Sequence, residues 1–199
     1  MANKKLNTWG YKFFKPILGP LFRFYYNPKI INAEVIPKSG STLIVGNHKH
    51  IMDQCLTILA TKRMIHWMAK REYFDDWKVA WFFKMSGVIR VDRAIKDEEA
   101  KGAALEVLND GGAIGLFPEG TRNKTDKFLL PFKFGAVSMA AKTDATLVPF
   151  GISGDYKFRS KNLTIIYGKP FKVGKMTLEE ANKKLEKEVG KLMRKGQTK

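Results

Sequence analysis

The chain is poor in the side chains that build metal centres and covalent scaffolds: its 199 residues include one cysteine and three histidines. A lone Cys55 excludes an intramolecular disulfide and suits a reducing compartment. Its expected place is that of a small buried apolar side chain. Carboxylates are also scarce, with 19 Asp and Glu against 36 Lys and Arg, a formal net charge of +17. That imbalance calls for a polyanionic partner, whether nucleic acid, anionic membrane or phosphorylated substrate. No helix-turn-helix signature or RNP-like strand motif is present, so nucleic acid is not expected. No run approaches the ~20 apolar residues of a membrane span. Internal repeats, low-complexity tracts and Gly/Ser linkers are missing too, which leaves one domain with a real core as the organisation for this length.

What the N-terminus does have is aromatics. Eight of the 18 residues from Trp9 to Tyr26 are aromatic, interrupted by Lys12, Lys15 and Arg23 and by Pro16 and Pro20. A broken apolar stretch with no small-residue cleavage site after it is not expected to be a signal peptide. Phe13, Phe14, Ile17, Leu18, Leu21, Phe22 and Tyr25 recur at helical spacing, which predicts one helix, or two short ones jointed near the prolines. Such a helix either packs on the domain's own core or lies in a membrane interface; the aromatic density favours the interface. Residues 1–32 are therefore set apart as an amphipathic membrane-interface segment, and residues 33–199 as the folded domain.

From residue 43 onward, apolar runs alternate with helical patterns. The predicted strands are 43–46, 65–69, 88–91, 113–117, 146–150 and 163–167. Predicted helices lie near 52–63, 74–86, 97–109 and 133–142, and a last one, 177–194, opens with a capping box at Thr177 and Glu180. This alternation predicts an α/β fold: a single largely parallel or mixed sheet flanked by helices. Four groups of polar residues follow strand ends: His48 and Asp53, Lys70, Arg93, and Glu119 with Arg122. In a parallel sheet those ends share one edge, where ligands bind in open α/β folds.

The stretch GNHKHIMDQ, 46–54, holds two of the histidines and an aspartate. It admits three readings: a metal site, a proton-transfer pair, or a strand-to-helix turn. The metal reading is weak, because His66 is the one histidine left and no cysteine cluster completes a site. Residues five apart on a helix point roughly 140° from each other. A working pair therefore needs His48 in the loop and Asp53 in the first helical turn, where a carboxylate also suits the helix dipole. For a lone His and Asp at this spacing, chance and simple capping remain the better explanation.

A second motif, LFPEGTRN at 116–123, changes the weighting. NHKHIMD resembles the HxxxxD motif of the glycerolipid acyltransferases, and FPEGTR resembles their acceptor-binding motif. GVIRVDR at 87–93 and LVPFGISG at 147–154 are similar to two further family blocks, as are MAKREYF at 68–74 and LPFKFGA at 130–136. The best match is the 1-acyl-sn-glycerol-3-phosphate (lysophosphatidate) acyltransferase family, over about residues 33–170.

The resemblance implies acyl transfer from a thioester to the free sn-2 hydroxyl of 1-acyl-glycerol 3-phosphate. It assigns His48 as general base and Asp53 as its orienting partner. Lys70, Arg93 and Arg122 would hold the acceptor's phosphate, with Lys133 adding to their field, and Glu119, Gly120 and Thr121 would shape the acceptor site. No cofactor or metal is implied; the donor is acyl-CoA or acyl-acyl carrier protein. The expected location is peripheral or monotopic, on the cytoplasmic face of the inner or plasma membrane. Glycerol 3-phosphate, dihydroxyacetone phosphate or a non-phosphate lysolipid remain open as acceptors. A non-catalytic basic membrane-surface protein remains open as well, and would have no need of His48 and Asp53.

Overall fold

The computed structural model describes residues 6–92, 94, 95 and 97–198. Seven strands form one mixed sheet: β1 (Lys29–Ile31), β2 (Thr42–Gly46), β3 (His66–Lys70), β4 (Ile89–Val91), β5 (Ala113–Leu116), β6 (Thr146–Ser153) and β7 (Thr164–Tyr167). Their order across the sheet is β1-β7-β6-β2-β5-β3-β4. The central strand β2 runs parallel to both of its neighbours, β5 and β6, and β3 runs parallel to β5 and β4. β7 is antiparallel to β6 and carries β1 parallel to itself at the edge. Five strands thus point one way and two the other.

Helices cover both faces: α1 (Trp9–Tyr26), α2 (Asp53–Ala60), α3 (Glu72–Asp75), α4 (Trp77–Met85), α5 (Glu98–Asn109), α6 (Gly135–Thr143) and α7 (Leu178–Gln197). The two-residue period of a strand explains the layering. Along β2, Leu43 and Val45 enter one core with α5, α6 and α7, while Ile44 enters the other with Phe22 of α1 and Leu56 of α2. A strand buried on both faces reads as a continuous apolar run, which is what residues 42–46 are. On α7, Ala181, Leu185, Val189 and Met193 recur every four residues as its buried stripe, the spacing of one helical face. The capping box at Thr177 and Glu180 is present.

Two features differ from the sequence reading, and a third decides between its alternatives. Strand β1 lies inside the stretch set apart as 1–32, because Lys29–Ile31 pairs with Thr164–Ile166. Three residues at a sheet edge carry too little alternation to be read as a strand. The single helix expected over 74–86 is divided, since the Asp76 side chain accepts from Lys78 N at 3.0 Å and caps a new helix there. Helix α1 is continuous through Pro16 and Pro20. The prolines are four apart on its exposed side, so the two carbonyls that lose an amide donor are at the surface. Among the described residues no helix is long and apolar enough to cross a membrane.

Gly46 closes β2 where a side chain has no room: a Cβ there would run into the ring and the carbonyl oxygen of Phe150. Because backbone on the neighbouring strand cannot step aside, Gly46→Ala is expected to destabilise the fold by about 1–3 kcal/mol. A denaturant midpoint equal to wild type would contradict the close approach of β2 and β6.

Candidate active site

The carboxyl ends of β2, β3, β4, β5 and β6 share one sheet edge, and the chain turns sharply as it leaves β2. Asn47 is buried and fastens the turn to β6: its Nδ2 donates to Ile152 O at 3.0 Å, and its Oδ1 accepts from Ile152 N at 2.7 Å. His48 follows in the loop. Asp53 begins α2 and reaches back across the loop, where its Oδ2 accepts from Lys49 N at 2.7 Å and His50 N at 2.8 Å. His48 Nδ1 lies 2.8 Å from the same oxygen. The other oxygen, Oδ1, accepts from the Tyr156 hydroxyl at 2.6 Å. Asp53 has no exposed surface, so its hydrogen bonds must come from the protein.

With a carboxylate as its partner, Nδ1 of His48 carries the proton and Nε2 holds the free lone pair. Nε2 has no hydrogen-bond partner among the described residues, and the side chain is 15% exposed. The ring is held flat against Phe117, with centroids 3.9 Å apart and planes 6° from parallel. Phe117 in turn stacks on Trp67 at 4.7 Å. One face of the imidazole is therefore packed, and the hydrogen bond at Nδ1 fixes the direction in which Nε2 points.

The loop after β5 grips the backbone of His48. Glu119 Oε1 accepts from His48 N at 2.7 Å, and Asn123 N donates to His48 O at 2.7 Å. Glu119 Oε2 accepts from Leu130 N at 2.9 Å. Burial raises the pKa of this carboxyl, and the two backbone donors oppose the shift. His48, Lys49, Glu119 and Asn123 also border a polar hollow of about 390 Å³ that reaches Lys127 and Ser153.

Among the described residues no group of three or more His, Cys, Asp or Glu is placed to hold a metal ion. Asp53 already receives four donors, and His50 stacks on Tyr156 at 4.2 Å. His50 has its pKa lowered chiefly by burial, against the attraction of Asp53. His66 lies at the start of β3, at the other end of that strand from Lys70, with Nδ1 2.7 Å from Gly87 O. Cys55 has its thiol pushed up to about 11 by burial and then by the charge of Asp53, which leaves it an unreactive thiol.

Residues 27–153 match the family model described as Acyltransferase, more than half of the chain. The chain belongs to the acyltransferase family. A Bacillus subtilis (strain 168) protein named 1-acyl-sn-glycerol-3-phosphate acyltransferase is 30% identical over 165 residues, 80% of this chain and 81% of that protein. One of the same name from Borreliella burgdorferi is 32% identical over 136 residues, 67% of this chain and 54% of the relative. Among solved structures, the fold matches the 1-acyl-sn-glycerophosphate (LPA) acyltransferase PlsC from Thermotoga maritima. Its TM-score is 0.74 at 24% identity, covering 96% of this chain and 78% of that one.

In this acyltransferase the residues singled out in the sequence are placed as follows. His48 and Asp53 form a direct pair. Lys70 is the exposed last residue of β3. Arg93 lies outside the described residues. Gly120 has φ +71°, and a Cβ on it would meet Nζ of Lys133 at 2.9 Å, so that ammonium lies over the Gly-Thr-Arg turn. Thr121 is exposed and Arg122 half-buried. The Arg122 side chain makes no hydrogen bond among the described residues, and its charge acts on His50. Glu119 shapes the site through the backbones of His48 and Leu130 and not by presenting a free carboxylate.

Sequence reasoning missed Asn47, Phe117, Asn123 and Tyr156. Three of these lie within the quoted stretches NHKHIMD and LFPEGTRN, so position alone could have flagged them. Tyr156 is 103 residues from Asp53 and carries no such signal.

Glu119→Gln keeps one acceptor oxygen but turns an amide NH2 toward a backbone N–H. It is expected to cost about 1–3 kcal/mol of stability and to lower acyl-transfer kcat/KM at least tenfold through a displaced His48. Thermal unfolding and a thioester assay check this together; a variant equal to wild type in both would remove Glu119 from the machinery.

Proposed function

We propose that the protein transfers an acyl group from a thioester donor to the sn-2 hydroxyl of 1-acyl-sn-glycerol 3-phosphate, producing phosphatidic acid. The observation that carries this reading is a His48 ring fixed by buried Asp53 with Nε2 free. The family, and relatives named for this activity, supply the substrate class.

In the proposed step, His48 Nε2 takes the proton from the acceptor hydroxyl as its oxygen attacks the thioester carbonyl carbon. Asp53 stabilises the imidazolium that forms. The tetrahedral intermediate then collapses, the C–S bond breaks, and the departing thiolate recovers the proton. A thiolate leaves readily, so the chain's own residues suffice for the step, with acyl-CoA or acyl-acyl carrier protein as donor. Arg122, Lys133 and Lys70, with Arg93, are assigned to the acceptor's phosphate; a guanidinium fork suits that group.

This reading is tested with purified protein and two acceptors. His48→Ala is expected to abolish transfer while leaving the fold intact. Arg122→Ala is expected to lower kcat/KM for lysophosphatidate roughly ten- to hundredfold, the loss of a charge-assisted contact of about 1.5–3 kcal/mol. On an acceptor without phosphate, wild type and Arg122→Ala should be about equally poor. Turnover by a folded His48→Ala protein would refute the base assignment.

We also assign α1 to an anionic membrane surface, as a peripheral or monotopic anchor on the cytoplasmic side. Trp9, Phe13, Ile17, Leu21 and Phe24 follow one another at helical spacing and are 48–61% exposed. Trp77 and Trp81 of α4 extend this apolar area, joined to α1 through Phe14 packed on Trp81 and Phe82. A patch of this size on a basic protein fits a lipid interface. The double substitution Phe13→Glu and Leu21→Glu should reduce binding to vesicles containing anionic lipid at least tenfold and leave the unfolding midpoint nearly unchanged. Undiminished vesicle binding would refute the assignment.

A further inference from the structure

Tyr156 belongs to none of the recognised motifs, yet its hydroxyl is the one donor to Oδ1 of Asp53 among the described residues, at 2.6 Å. Oδ2, by contrast, is shared by His48 Nδ1 and two backbone amides. A buried carboxylate divides its negative charge among its donors, so each donor removed leaves more of that charge for the rest. We infer that Tyr156 is a positioning residue of the acyltransferase site, one that holds the Asp53 carboxylate in plane and sets the basicity of His48 through it. This rests on the reading of His48 as the base.

The ring of Tyr156 is fixed on two sides. It stacks on His50 at 4.2 Å, with planes 18° apart, and meets the edge of Tyr26 at 5.5 Å. Tyr26 is the last residue of α1. The loop that carries Tyr156 is clamped to the same helix end: Arg159 N donates to Tyr25 O at 2.6 Å, and Phe158 packs against Tyr25 at 5.2 Å. Tyr156 therefore cannot swing away from Asp53 without releasing the end of α1. Its pKa is raised by burial first, then by the charge of Asp53 and the hydrogen bond to it. The phenol stays protonated across the working range and serves only as a donor.

The charged and titratable groups around the pair come from every element packed there. Besides Asp53 and Tyr156 they are His50 and Lys49 on the same loop, Cys55 on α2, Glu119 and Arg122 on the loop after β5, and Tyr26 at the end of α1. Removing the Tyr156 hydroxyl touches none of these charges. The sign follows directly: without its Oδ1 donor, Asp53 attracts the imidazolium more strongly, so the pKa of His48 rises. A base must be unprotonated to act, so the acidic limb of the kcat/KM profile moves to higher pH.

The experiment uses the full chain with lysophosphatidate and an acyl-CoA in mixed micelles. Tyr156→Phe keeps the ring contacts and is expected to raise the acidic limb by about 0.5–1 unit, lowering kcat/KM on that limb roughly three- to tenfold. Replacing Tyr156 with 3-fluorotyrosine, a stronger donor, should move the limb the opposite way by a few tenths of a unit. This replacement also serves as the test if Tyr156→Phe fails to fold. NMR titration of isotope-labelled histidine gives an activity-independent readout, since only three histidines must be resolved. It should show the same shifts at His48. A lowered plateau with an unmoved limb, and an unmoved His48 titration, would make Tyr156 a brace only and overturn the proposal. If wild type transfers no acyl group, the functional reading fails, and the NMR titration alone still decides whether Tyr156 tunes His48.

Discussion

A carboxylate with no contact with water must have its charge met by the protein. Asp53 lies at zero exposure in the turn between β2 and α2, and leaving it there without donors would cost several kcal/mol, comparable to the whole stability of a domain. Four donors offset that cost: an imidazole nitrogen, two backbone amides and a phenol. Two of them force residues 49 and 50 to fold back over the start of α2, and that path in turn delivers the ring of His48. The placement of His48 is thus a by-product of solvating one aspartate. A cap alone would need only the amides; the imidazole and the phenol are what convert a helix start into a chemical device.

Glu119 solves the complementary problem. Asp53 orients the ring of His48, while Glu119 and Asn123 hold its peptide N–H and C=O. Two buried carboxylates, one at the start of α2 and one on the loop after β5, therefore restrain one residue, the first through the side chain and the second through the backbone. The separation of duties leaves Gly120, Thr121, Arg122 and Lys133 outside the restraint. In particular, the Arg122 side chain makes no hydrogen bond among the described residues.

Much of this was legible in the sequence, because it depends on local pattern. The buried run at 42–46, the helical stripe and capping box of α7, and the convergence of polar residues at one sheet edge follow from periods of two and 3.6 and from parallel pairing. The requirement that His48 lie in the loop with Asp53 in the first turn follows from helix geometry. What escaped depends on contacts between distant segments. Tyr156 reaches Asp53 only after β6 has crossed beside β2, and β1 is a strand only because β7 lies next to it. The acceptor-site expectation for Glu119 was incomplete for a similar reason: nothing in FPEGTR indicates that its oxygens face the amides of His48 and Leu130. Arg93 lies outside the described residues.

The pairing of β1 with β7 has a consequence for the order in which the protein is made. Lys29–Ile31 has its partner at residues 164–166, so during synthesis this strand waits until those residues have been made. Pairing across so long a separation is slow, since loop-closure entropy opposes it until the intervening layers are formed. Helix α1, immediately upstream, keeps Trp9, Phe13, Ile17, Leu21 and Phe24 about half exposed even in the finished fold. Until β1 finds β7 the edge of the sheet beyond β6 is incomplete. An unpaired strand edge and uncovered aromatics are the features that expose a folding intermediate to aggregation, so the last pairing to form is also the one that closes this exposure.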